Sequence, residues 1–223
     1  RTPLPSSRSR YGGAMPDDAY ARIATSYDTV LGWSTAALNR RALELAPAGP
    51  GDRVLDVGCG TGAHLAGYRE RGADCTGLDL SPAMLEVARR RLPGADLRIG
   101  DATDLPFDDG SFDLVLATLF LHELAPDARS MALTEMARVA ADDGRVVVID
   151  YHVGSLRWQG RLWRVFSTAT ERVAGVDHYG AWRTYLDSGG LAPALPDHLT
   201  IEQTKPVAGG NLAIWVLRVA GSG

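Results

Sequence analysis

Nine residues, Val54 to Gly62 (VLDVGCGTG), constrain the fold of this chain more than any others. An apolar run ends in a carboxylate, glycines follow at 58, 60 and 62, and a helical pattern starts at Ala63. A strand passing through a glycine turn straight into a helix opens a βα unit. Its backbone must pass close to something, because glycine is the residue that permits positive φ and close approach. The carboxylate narrows what that something is. A glycine turn that cradles a pyrophosphate avoids an acid at its mouth; one that receives a cation welcomes it.

The rest of the chain continues the alternation. Helical spacing over 17–46 reads as two helices broken near Gly32-Trp33-Ser34 and stopped by Pro47 and Pro50-Gly51. Strands follow at 53–57, 74–78, 96–99, 112–117 and 145–150, with helices over 63–71, from Ser81-Pro82 to before Pro93, and over 127–140. Ser81 is a good N-cap and Pro82 suits the first helical position. The strands are continuous apolar runs, such as Val146-Val147-Val148-Ile149, as expected when helices cover both faces of a parallel sheet. Two last strands, 199–204 and 212–219, are joined by residues 205–211, too few for a crossover helix, so as neighbours they pair antiparallel. The expectation is an α/β fold: a doubly wound, seven-stranded, mostly parallel sheet with a C-terminal antiparallel hairpin and N-terminal helices over the site. Residues 1–16, rich in Pro, Ser, Gly and Arg, read as a flexible tail before one domain over 17–223, with a helical cap at 17–47 and acceptor-side helices at 151–190.

Charge and cysteine content exclude several classes. A net charge of -4 leaves no footprint for nucleic acid. Two cysteines, Cys59 and Cys75, make neither a disulfide framework nor a metal cluster, and no metal is expected; they fit a reducing, cytoplasmic setting. No apolar run approaches the ~18–20 residues of a membrane span, and the basic opening lacks the apolar core of a secretory signal.

Ligands of open α/β sheets lie outside the carboxyl ends of the strands, where strand order reverses. Those ends carry Asp56, Asp79 and, just past strand three, Asp101. Asp79 follows Gly58 by 21 positions (79 − 58), a spacing at which an acid takes two ribose hydroxyls. Asp101, with Ala102, can accept from an exocyclic amine. Gly58-x-Gly60-x-x-Ala63 formally fits a dinucleotide fingerprint, but Asp56 would oppose the pyrophosphate. S-adenosylmethionine offers an adenosine for Asp79 and Asp101, plus an ammonium and a sulfonium. An opposite charge at ~4 Å is worth roughly 1–4 kcal/mol between the dielectrics of water and a protein surface.

The segments VLDVGCGTG, GLDLSPAMLEVARRR and GDATDLPFDDGSFDLVLATLFLHEL resemble those of the class I (Rossmann-like) S-adenosylmethionine-dependent methyltransferases, within them the ubiquinone/menaquinone-biosynthesis type. The resemblance runs from about Tyr20 to Asp150. It implies that Asp56, Gly58, Cys59 and Gly60 line the methionine part of the cofactor. It implies that Asp79 holds the ribose, with Leu80 and Met84 beside the adenine, that Asp101 and Ala102 hold the adenine edge, and that Leu119 covers the cofactor. Tyr27-Asp28 matches a Tyr-Asp pair whose tyrosine closes over it.

Methyl transfer from a sulfonium is an in-line displacement, so catalysis is mostly alignment in a site that excludes water. A base is needed only where the nucleophile must lose a proton. Base candidates past strands four and five are His122, Tyr151 and His152, with His122 expected at a nearly unshifted pKa. Capping of the next helix is the alternative role for His122. The segment 155–173, SLRWQGRLWRVFSTATERV, is aromatic and basic, and one expectation is peripheral contact with a membrane. The acceptor stays open among a quinone precursor, a phospholipid amine and a secondary metabolite, and S-adenosylhomocysteine is the product. Two other classes remain: a nicotinamide-dependent oxidoreductase, and a non-catalytic S-adenosylmethionine-binding module.

Overall fold

A computed structural model describes residues 36–220. The first expected N-terminal helix, Tyr27 and the tail lie outside the described residues. A first helix, α1, spans residues 36–45. The chain then runs β1 (Arg53–Val57), α2 (Ala63–Glu70), β2 (Asp74–Asp79), α3 (Pro82–Arg91), β3 (Asp96–Ile99), β4 (Phe112–Thr118), α4 (Pro126–Val139), β5 (Ala140–Tyr151), α5 (Trp158–Ala174), α6 (Val176–Asp187), β6 (Leu199–Val207) and β7 (Leu212–Val219). The sheet has seven strands in the order β3-β2-β1-β4-β5-β7-β6. Strands β1 to β5 are parallel to one another, and β7 lies antiparallel to both β5 and β6.

Strand order reverses between β1 and β4, because β2 and β3 continue to one side of β1 and β4 and β5 to the other. Alternate residues of each strand enter opposite cores, as the period of 2 requires. Leu55, Val115 and Val146 pack with Leu133 and Met136 of α4. Val54, Leu116 and Val147 pack with Leu38 and Ala42 of α1 and Leu65 of α2. Helix α3 starts as its sequence dictates, with Ser81 Oγ accepting from the Met84 N–H at 3.1 Å and Pro82 inside the first turn.

Two strands differ from their expected bounds. Strand β5 begins five positions before 145, because Ala140 already pairs with Phe112; the register then shifts, and Leu114 pairs with Arg145. The intervening Ala-Asp-Asp-Gly looks like a turn because it is an irregularity inside a strand. Strand β6 runs on through Pro206, which faces Ala213. It is an edge strand, where a residue without an N–H is tolerated.

Candidate active site

Strand β1 delivers Asp56 to the mouth of the glycine turn, where it is 1% exposed. Its Oδ1 has no hydrogen-bond partner among the described residues. Burial, and then the charge of Asp79, push its carboxyl up to about 8, with no cation among the described residues to offset them. An orphaned buried carboxyl is costly, and it fits a ligand that brings an ammonium. It does not fit a pyrophosphate.

Asp79 closes the mouth from β2. Its Oδ2 accepts the Gly60 N–H at 2.7 Å and its Oδ1 the Ser81 N–H at 2.8 Å. The carboxylate is therefore locked across the turn, between the backbone of Gly60 and that of Ser81. Leu80 beside it is 41% exposed, an apolar surface at the site, whereas Met84 is on the buried face of α3. Asp101 Oδ1 accepts from both the backbone N–H and the hydroxyl of Thr103, at 2.9 and 2.8 Å, which fixes the loop past β3. Ala102 packs on the α4-side core. Cys59 is buried, and burial raises its thiol well above the ordinary range, so it lines the turn as a small apolar group.

Gly58 has φ 68°, and a Cβ there would lie 2.7 Å from the ring of Phe120. Phe120 is a site residue that the sequence reading missed. Its signal was its place directly after Leu119, past the end of β4. Leu119 has φ 54°, rare for a branched side chain, and is held there by its N–H donating to the Ile149 carbonyl at 2.8 Å. Backbone strain of this kind gathers at ligand sites.

On the other side of the switch, β4 and β5 bring two of the three base candidates together. His122 is buried; its backbone N–H donates to Asp150 Oδ2 at 3.1 Å, and its Nδ1 lies 2.7 Å from Asp150 Oδ1. Its Nε2 lies 3.6 Å from Glu171 Oε1 on α5. The Tyr151 hydroxyl donates to the same oxygen at 2.9 Å. The rings of His122 and Tyr151 meet edge to face, 4.8 Å apart. Burial alone would lower the imidazole, but the charge and hydrogen bond of Asp150, then Glu171 and Glu123, outweigh it and raise it to about 10. The expected unshifted pKa is thus corrected: the carboxylates beside His122, Asp150 first, hold its imidazole well above the ordinary value. Burial would raise Glu171, but its bonds to His122 and Tyr151 win and lower it. Burial and Glu171 push the Tyr151 phenol far up, so it stays a proton donor.

His152 turns away. Its Nδ1 lies 3.3 Å from the Gly210 carbonyl and its ring 6.0 Å from Trp215 of β7. The sequence reading also missed Asp150, Glu171, and Trp182 and Tyr185 of α6, which pack on Tyr151 and His122. Glu171 was detectable as the lone acid in an otherwise basic segment. Among the described residues, no group of His, Cys, Asp and Glu is placed to hold a metal ion, and no helix is long and apolar enough to cross a membrane.

A family model described as "Methyltransferase domain" matches residues 55–148. The demethylmenaquinone methyltransferase of Renibacterium salmoninarum is 38% identical over 138 residues, 62% of this chain and 57% of that protein. The chain spans little more than half the length of several curated relatives it matches. It covers more of the demethylmenaquinone methyltransferase of Thermus thermophilus: 34% identity over 164 residues, 70% of this chain and 74% of that one. A methyltransferase solved in complex with the Haloferax volcanii Trm112 methyltransferase activator has the same fold, with a TM-score of 0.70 at 21% identity over 93% of this chain and 100% of that one. With the glycine turn, the strand order and these relatives agreeing, the chain belongs to the class I, Rossmann-like S-adenosylmethionine-dependent methyltransferases.

Proposed function

We propose that the chain transfers a methyl group from S-adenosylmethionine to a small, lipid-like acceptor and releases S-adenosylhomocysteine. The observation that carries this reading is Asp56, a buried carboxyl with an unpartnered oxygen at the mouth of the glycine turn. The cofactor's sulfonium supplies an electrophilic methyl group on a good leaving group. The protein's part is to bind, align and keep water out.

Asp56, Gly58, Cys59 and Gly60 would hold the methionine end, Asp79 with Leu80 and Met84 the ribose and adenine, and Asp101 and Ala102 the adenine edge. Leu119 would cover the cofactor, and Tyr27 would close over it. His122 and Tyr151 would face the acceptor, and relatives named for demethylmenaquinone favour a lipid-like one. His152, bound up with β7, would support the hairpin and stand outside the reacting groups. The setting proposed is the cytoplasm, which suits two buried free cysteines.

Peripheral membrane contact through 155–173 belongs to the same reading. Trp158, Leu162 and Val165 are 68%, 62% and 70% exposed on α5, beside exposed Arg157, Arg161 and Arg172. Apolar side chains flanked by arginines suit an anionic bilayer surface. Flotation with anionic liposomes tests this part, and absence of binding removes it.

Calorimetry tests the main reading. Micromolar binding of S-adenosylhomocysteine with none of NAD(P) is expected; the reverse result sinks it. A metabolite extract supplied with methyl-labelled cofactor should yield a labelled product, and cofactor binding without any product would mark a non-catalytic binding module.

A further inference from the structure

We propose that Glu171 is a positioning residue for the acceptor, fastening the inner face of α5 to the carboxyl ends of β4 and β5 through the Tyr151 hydroxyl and the His122 imidazole. The proposal rests on the methyl-transfer reading above. The three aspartates of the cofactor side stand at β1, β2 and the loop past β3. In-line attack requires the nucleophile opposite the leaving sulfur, so the acceptor comes from the β4–β5 side. Glu171 stands there, its Oε1 taking the Tyr151 hydroxyl at 2.9 Å and facing His122 Nε2 at 3.6 Å.

Simple attachment of α5 does not call for this carboxylate. The helix is already anchored before Glu171: Gly160 lies against the Gly209 backbone, and Ser167 Oγ accepts from Asn211 Nδ2 at 3.1 Å. Arg164 adds a bond to the His152 carbonyl at 2.8 Å. A buried ion pair is a weak source of stability, and apolar residues of similar volume do as well or better. Glu171 shares the buried inner face with Gly160 and Ser167, yet it carries a charge to the sheet end. A fixed charge there sets the position of Tyr151 and His122, the two groups placed to face the acceptor.

His122 is faced by Asp150 and Tyr151 from β5, Glu171 from α5 and Tyr185 from α6. On its own turn Glu123 lies 3.9 Å from His178 of α6, and from α4 Arg129 stacks over Tyr185 at 4.6 Å. Asp150 is the largest of the influences that raise the ring, with Glu171 and then Glu123 after it, so neutralising Glu171 lowers the imidazole without returning it to its ordinary value.

The test is Glu171→Gln, which keeps the shape and removes the charge. Affinity for S-adenosylhomocysteine should stay within about twofold, since no cofactor-side group is touched. Reduced 1,4-naphthoquinone serves as the acceptor probe. Its kcat/KM should fall by about 10- to 100-fold, with a rise in KM, the size of effect that slight misplacement produces. In an NMR titration the wild-type His122 should stay protonated to about pH 10, and in the variant it should titrate at least about one unit lower. The variant's kcat/KM should then fall with pH between 7 and 9, where the wild type is flat, and Glu171→Asp should restore part of the loss. A wild-type KM and pH profile in Glu171→Gln, or a wild-type His122 that titrates near neutrality, overturns the proposal. Should Glu171→Gln fail to fold, Tyr151→Phe, which leaves the charges in place, must show the same rise in KM. A wild-type protein inactive on the probe counts against the acceptor reading, and the titration then decides Glu171 alone.

Discussion

Binding of an ammonium-bearing cofactor should release a proton, and Asp56 is the source. Its carboxyl sits at about 8 in the ligand-free protein, against 3.8 for the free side chain. At pH 7 the group is then about 0.9 protonated, from one pH unit below its pKa. A cation beside it favours the carboxylate, so complex formation ejects up to about 0.9 proton per site at pH 7. The sign is fixed by linkage: the native state holds a proton that the unfolded chain has lost. Free-protein stability therefore falls as pH rises from about 4 to about 8, and cofactor binding removes that penalty. Affinity should climb close to tenfold per pH unit between about 5 and 7 and level off above 8. The assay is calorimetry with S-adenosylhomocysteine in two buffers of different ionisation enthalpy, which reads the protons directly. Asp56→Asn should abolish the release and weaken binding by roughly 1.5–3 kcal/mol, the range for a hydrogen bond to a charged group. Binding at pH 7 with no proton released, or release that persists in Asp56→Asn, would refute the assignment.

Asp79→Ala should cost roughly 1.5–3 kcal/mol of cofactor affinity, because it removes the proposed ribose acceptor and the Gly60 and Ser81 anchors together; unchanged affinity by calorimetry would show that Asp79 is not on the ribose. Gly160→Ala places a methyl group inside the Gly209 carbonyl, where backbone meets backbone and no side chain can yield. Overpacking costs about 1–3 kcal/mol, so the melting temperature should drop by about 2–12 °C at ~2–4 °C per kcal/mol, and an unchanged melt would contradict the close approach of α5 to the hairpin.

The parallel half of the sheet was readable because its rules are local. A period of 2 or 3.6, an N-cap at Ser81 and a glycine turn at 58–62 act over a few neighbours. Where a local rule met a tertiary exception, the reading slipped. Ala140 joined β5 because Phe112 was available to pair with it, and Pro206 stayed in β6 because that strand has an open edge.

The sequence by itself determined where the three aspartates of the proposed cofactor side stand. Asp56 lies near the end of β1, Asp79 ends β2 and Asp101 lies just past β3, so their grouping needs only the rule that parallel strands end on the same side. The cluster of His122, Asp150, Tyr151 and Glu171 was decided by the tertiary structure alone. His122 and Asp150 are 28 residues apart, and Tyr151 and Glu171 are 20 apart. They meet because β4 lies beside β5 and because one turn of α5 faces inward, which no spacing along the chain encodes. The shift of His122 followed from that meeting: a lone histidine reads as unshifted, and Asp150, Glu171 and Glu123 raise it well above its ordinary value.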